Sequence, residues 1–150
     1  MRLTLLAVGR LRRGPEKELI DDYLSRFAKA GRGLGLPAVD LVEVEGRPSE
    51  ADALSRAIPD GSALAILDER GTQMTSPDFA DLLARHRDQA RDLCLVIGGA
   101  DGLDPAIRAR ADHAISFGRM VWPHMLARVM LAEQLYRAAS ILAGSPYHRA

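Results

Sequence analysis

Cysteine occurs once in this chain of 150 residues, at Cys94 within the apolar run Leu93-Cys94-Leu95-Val96-Ile97. A single thiol makes no internal disulfide and gives no sign of an oxidising compartment. Set in that run, it reads as a small core residue. No bilayer-length apolar run is present either. The opening segment Met1–Gly9 is apolar but far short of the roughly 20 residues a span requires, and it lacks a small-residue cleavage site. The expectation is a cytoplasmic protein with no membrane partner. Gly-Lys-Ser/Thr does not occur, which excludes a P-loop. The four histidines, His86, His113, His124 and His148, show no metal-ligand spacing, so no metal is expected. His86 lies among charged residues and reads as solvated; His113 opens a strand and reads as structural. No Ser/His/Asp or Cys/His nucleophile set has support, and no repeat, linker or low-complexity segment is visible. Neither sign of charge prevails: 20 basic residues balance 20 acidic ones.

The distribution of charge is more telling than its sum. Residues 1–32 hold eight Lys or Arg against four acids, and residues 119–150 hold four against one. The middle, 33–118, holds eight against fifteen. Basic ends around an acidic middle suit either solvated surface or a phosphate-facing patch built where the ends meet.

The length suits one domain, 1–150, which can bury roughly 70% of its unfolded surface without a metal or disulfide staple. Hydrophobic pattern predicts strands over 2–8, 38–45, 62–67, 93–97 and 113–117. Between them it predicts helices over 16–29, 48–58, 76–91, 104–111 and 125–143. Ser76-Pro77 and Asp104-Pro105 read as helix starts, a capping side chain followed by proline in the first turn. Gly144 ends the last helix. Alternating strands and helices predict an α/β fold, with a mostly parallel sheet of about five strands and helices on both faces. The last helix is apolar over more than one stripe, so it is either interior or shared with another chain.

In such a sheet, ligands bind beyond the carboxyl ends of the strands. The sharpest loop there is Gly98-Gly99-Ala100-Asp101-Gly102, where glycines either make a tight turn or let a ligand approach the backbone. It is not a dinucleotide fingerprint, because Asp101 and Asp104 would repel a pyrophosphate. The loop after strand 1 carries Arg10, Arg12 and Arg13, a poor match to a flavodoxin-like phosphate cradle. In the tail, Tyr147, His148 and Arg149 are residue types able to stack on a base, hydrogen-bond to it and pair with phosphate.

Five motifs occur in order: Leu67-Asp68-Glu69-Arg70-Gly71, Ile97-Gly98-Gly99-Ala100-Asp101-Gly102-Leu103, Pro123-His124-Met125-Leu126-Ala127-Arg128, Glu133-Gln134-Leu135-Tyr136-Arg137-Ala138 and Pro146-Tyr147-His148-Arg149. Together they resemble the ribosomal RNA large subunit methyltransferase H family, of the SPOUT (trefoil-knot) class, over essentially the whole chain. The resemblance implies a SPOUT fold whose C-terminal segment forms a trefoil knot, a rare feature that no pattern rule predicts. It implies a homodimer and the cofactor S-adenosylmethionine. The activity it implies is methylation of N3 of a pseudouridine in 23S ribosomal RNA, on assembled ribosomes. Carried onto this chain, the cofactor residues are Leu67, Gly99, Phe117, Gly118, Arg119, Met120, Val121 and Trp122, with Trp122 bulkier than the aliphatic residue expected there. Bulk added at Gly99 is expected to block the cofactor. His148, Tyr147 and His124 are the catalytic candidates. Arg10, Arg12, Arg13, Arg128 and Arg149 are the RNA-binding candidates. The competing readings are a SPOUT methyltransferase of another RNA, such as tRNA, and a non-catalytic ribosome-binding factor.

Overall fold

The computed structural model describes residues 1–149. Its strands are β1 (Leu3–Val8), β2 (Val39–Val44), β3 (Ala63–Thr72), β4 (Leu93–Ile97) and β5 (His113–Ile115). Its α-helices are α1 (Pro15–Gly31), α2 (Glu50–Ala57), α3 (Ser76–Asp88), α4 (Pro105–Arg110) and α5 (His124–Leu142). The strands form one sheet in the order β2-β1-β4-β3-β5, and every pairing is parallel. An all-parallel sheet must be covered on both faces, so its central strands β1 and β4 are buried at every position, with Thr4 their one polar residue.

The alternation of side chains along each strand divides the core in two. Leu3, Leu5 and Ala7 of β1, Leu93, Leu95 and Ile97 of β4, and Ala63 and Ala65 of β3 face one side. There they meet Phe27 of α1, Phe79 and Leu83 of α3, and Leu131, Leu135 and Ala139 of α5. Leu6, Val8, Leu64, Ile66, Cys94 and Val96 face the other side, against Leu54 of α2 and Ile107 of α4. Cys94 is fully buried, and burial pushes its thiol up to about 12, so it is a packing residue and not a nucleophile.

Two elements differ from the sequence expectation. β3 runs five residues further, because Thr72 pairs with Ile115 after a bulge. Gly71 permits this crossing: a Cβ there would lie 2.6 Å from the Ala114 carbonyl carbon. The cap of α3 is Thr75, not Ser76; Thr75 and Asp78 form a reciprocal capping box. Those bonds hold the Asp78 carboxyl below its ordinary pKa. Ser76 instead donates to Gln134 Oε1 at 2.7 Å, tying α3 to α5. Asp104 does cap α4.

His86 is a correction. It is 5% exposed, and its Nε2 lies 3.2 Å from Nε2 of His113 on β5. The helix is charged on its outer face only; residue 86 falls on the inner one, with Leu82 and Leu83. Among the described residues no helix is long and apolar enough to cross a membrane, and no group of three or more His, Cys, Asp or Glu could hold a metal.

Candidate active site

The carboxyl ends of β3, β4 and β5 open into a cavity of about 420 Å³. Three local devices shape it. After β4, Gly102 N donates to Gly99 O at 3.0 Å, and Gly102 adopts a left-handed conformation that closes the turn. A Cβ on Gly98 would lie 3.0 Å from the Gly102 carbonyl, so that turn is folded tightly on its own backbone. After β5, the buried Ser116 hydroxyl accepts from Gly118 N at 3.0 Å and sits 3.0 Å from Glu69 O, pinning the exit of β5 to the extension of β3. The loop then runs through Gly118, at φ 115°, to Pro123 and the first turn of α5.

The cavity wall includes Leu67, Gly99, Phe117, Gly118, Met120, Val121 and Trp122. Seven of the eight expected cofactor residues are therefore together. Arg119 belongs to the same loop but does not line the wall. His124, the first residue of α5, does. Asp68, Glu69 and Arg108 complete the polar lining. Arg108 Nε lies 3.0 Å from Asp68 Oδ2, so that carboxylate and guanidinium offset one another and Glu69 remains. This wall, apolar and glycine-backed with one unoffset acid, suits a neutral or cationic ligand and not a phosphate.

Gly99 lines the cavity, and its missing side chain makes room for a neighbouring acid. A Cβ there would point at the Glu50 side chain, 2.9 Å from its carboxylate carbon. Glu50 also accepts from Asp101 N at 3.3 Å, and a Cβ on Gly46 would meet its Cγ at 2.9 Å. Two glycines from separate loops thus make room for one side chain. Glu50 does not itself line the cavity but backs its glycine turn, a role not legible in a residue that is one acid among several at the start of α2.

Tyr147 and His148 do not line their own chain's cavity. Gly144, at φ 71°, reverses the chain, and the tail folds back along α5. Tyr147 donates its hydroxyl to Glu133 Oε1 at 3.0 Å, and its ring packs edge-on to Tyr136. Burial and then the Glu133 carboxylate push Tyr147 up to about 12, which leaves it a donor and unsuited to take a proton. Arg137 bonds Glu133 and reaches His148. Arg149 is exposed beyond them.

Arg128 corrects the RNA-binding set. Its side chain is 1% exposed, and it donates to Glu43 Oε2 at 2.7 Å, to Val8 O at 3.0 Å and to Gly9 O at 3.1 Å. A charge enclosed this fully cannot reach phosphate; it clamps α5 to the ends of β1 and β2. Arg10, Arg12 and Arg13 are exposed and, among the described residues, make no side-chain ion pair or hydrogen bond. Leu11 between them is buried and donates its N–H to Glu43, so the loop is anchored while its arginines project outward.

The family model described as predicted SPOUT methyltransferase matches residues 1–148. The chain belongs to the SPOUT methyltransferase family. It is 67% identical to ribosomal RNA large subunit methyltransferase H of Cereibacter sphaeroides and 67% identical to that of Roseobacter denitrificans, with 99% of both chains covered in each case. The relative of the same name in Paracoccus denitrificans is 66% identical over the same shares. Solved structures share the fold at low identity. A probable methylase family protein from Haemophilus influenzae aligns with a TM-score of 0.56 at 12% identity, covering 99% of this chain and 70% of that one. A probable methyltransferase from Bordetella pertussis gives 0.55 at 15%, covering 92% and 94%.

Proposed function

We propose that this chain, acting over 1–150 as one SPOUT domain, transfers a methyl group from S-adenosylmethionine to N3 of a pseudouridine in 23S ribosomal RNA of assembled ribosomes. The observation that carries the reading is the cavity at the carboxyl ends of β3, β4 and β5, in a chain two-thirds identical to named ribosomal RNA methyltransferases. The residues fit the donor. Leu67, Ile115, Phe117 and Trp122 offer an apolar slot, Gly98 and Gly118 expose backbone, and Glu69 is compatible with positive charge. The donor supplies an electrophilic methyl on a sulfonium. The protein's part is to align the target nitrogen with it and to exclude competing water.

The geometry also favours a homodimer with composite sites. Met120 and Val121 are 77% and 83% exposed beside the cavity, and Trp122, Met125 and Leu126 are exposed with them. Such a patch suits cover by a second copy. The tail lies on α5, away from its own cavity, so Tyr147, His148 and Arg149 would meet the target base in the partner's cavity. Arg10, Arg12, Arg13 and Arg149 would grip the ribosomal RNA, and His124 would border the reacting groups. The trefoil knot belongs to this reading, with the C-terminal segment as its threaded part. So does a cytoplasmic location, where ribosomes are.

The test is incubation with S-adenosylmethionine and either ribosomes or tRNA, followed by mass spectrometry of the nucleosides. Methylpseudouridine in 23S ribosomal RNA is expected. Methylation of tRNA alone would move the substrate to another RNA, and ribosome binding with no methyl transfer would identify a binding factor.

A further inference from the structure

The tail is held by one ion pair on α5. Glu133 and Arg137 stand one helical turn apart, with Arg137 Nη2 at 2.7 Å and Nε at 2.9 Å from Glu133 Oε1. The same carboxylate takes the Tyr147 hydroxyl, and Gln134 Nε2 donates to its second oxygen at 3.0 Å. Fixed in this way, the Arg137 guanidinium lies over the Tyr147 ring, 4.9 Å from its centroid. Its remaining nitrogen, Nη1, is 3.1 Å from Nδ1 of His148.

That last contact has a chemical consequence. A guanidinium has only donors, so the ring nitrogen facing it must accept. Nδ1 of His148 is therefore the unprotonated nitrogen, and the neutral ring carries its hydrogen on Nε2, on the far side from Arg137. We infer that Glu133 and Arg137 are positioning residues that lock His148 as an Nε2–H donor, and that His148 acts on a carbonyl oxygen of the target base and not as the acceptor of its proton. The inference rests on the composite site proposed above, in which the tail meets the base.

The chemistry suits such a donor. N3 of a uracil-type ring stands between two carbonyl groups, and as its proton leaves, negative charge spreads onto both oxygens. An N–H aimed at one of them stabilises that charge as it develops. The bond from N3 to the methyl carbon forms, the methyl–sulfur bond breaks with its pair left on sulfur, and the N3 proton passes to solvent water. The same donor discriminates against bases that carry an amino group where this carbonyl stands, because two donors would then face each other.

The tautomer is read directly by long-range ¹H–¹⁵N NMR correlation on protein labelled in its histidines, without RNA or methyl donor. His148 should give the Nε2–H pattern. It should keep that pattern in Arg137→Lys, which retains a donor, and drift to a tautomer mixture in Arg137→Met. Glu133→Gln, which loosens the guanidinium, should shift it the same way and serves if Arg137→Met misfolds. In methyl transfer to ribosomes, His148→Ala should lower kcat on the order of 100-fold with little change in KM. His148→Gln, whose amide places an N–H near the Nε2 position, should recover most of that loss. An Nδ1–H or mixed tautomer in the wild-type protein, or equal loss in His148→Gln and His148→Ala, would overturn the inference. Absence of methyl transfer by the wild-type protein would instead overturn the proposed function and leave the tautomer result standing.

Discussion

At the scale of single residues, burial separates arginines that the sequence presents alike. Arg128 and Arg149 both sit in motifs that resemble an RNA-modifying family, yet one is enclosed and the other is exposed. Burial pulls the Arg128 pKa down, against the Glu43 carboxylate that holds it up. Removing one member of such a pair leaves the other charge buried and uncompensated, at a cost of about 3–5 kcal/mol. Arg128→Met should therefore lower stability by that order in urea denaturation, through Glu43 and the Val8 and Gly9 carbonyls. Arg149→Ala should leave the urea midpoint unchanged and weaken ribosome binding. A stable Arg128→Met protein with weakened ribosome binding would return Arg128 to the RNA-binding set. Gly99 teaches the same lesson. Its spacing marks a place where a side chain does not fit, but only the structure shows that Glu50 fills the space.

At the scale of elements, the sequence was legible wherever period and punctuation agreed. The central strands announce themselves because a parallel sheet is apolar on both faces, and Pro105, Asp104 and Gly144 mark helix ends through capping and left-handed geometry. All five strands and five α-helices fall where periodicity puts them. What was not legible depends on long-range pairing. The extra length of β3 comes from its crossing with β5, which Gly71 allows, and no local pattern encodes that. The same pairing of elements creates the His86–His113 contact between α3 and β5. Burial lowers the pKa of both rings, with Arg85 and Arg91 adding to it and Asp112 opposing. The unfolded chain therefore binds more protons below about pH 6.5, where free histidine titrates. Stability contributed by this pair is full above that value and declines as pH falls through and below it. The thermal midpoint should drop between about pH 7.5 and pH 5.5 by more in the wild-type protein than in His86→Leu. An equal drop in both would show that the pair does not titrate on unfolding.

At the scale of the whole molecule, zero net charge conceals a useful asymmetry. The anchored loop after β1 exposes Arg10, Arg12 and Arg13 while the acidic residues concentrate in the middle of the chain. Ribosome binding should weaken steeply with salt, and each arginine of that loop replaced by alanine should reduce the slope by about 1. A flat salt profile would place RNA recognition elsewhere. The site itself was half legible. The loops that line the cavity follow from the rule that ligands bind at strand carboxyl ends, and the motifs supplied the ligand proposed for them. That the tail lies on α5 and not in its own cavity needed the fold, because the reversal at Gly144 sets where Tyr147 and His148 come to rest.

Calorimetric titration with S-adenosylmethionine, with NAD and FMN as controls, tests the cavity most directly. Saturable binding of S-adenosylmethionine alone is expected, and Gly118→Val should weaken it, since Gly118 lines the cavity in a conformation that side chains rarely adopt. Failure of the folded wild-type protein to bind S-adenosylmethionine, with or without ribosomes, would contradict the assignment of this cavity to the methyl donor.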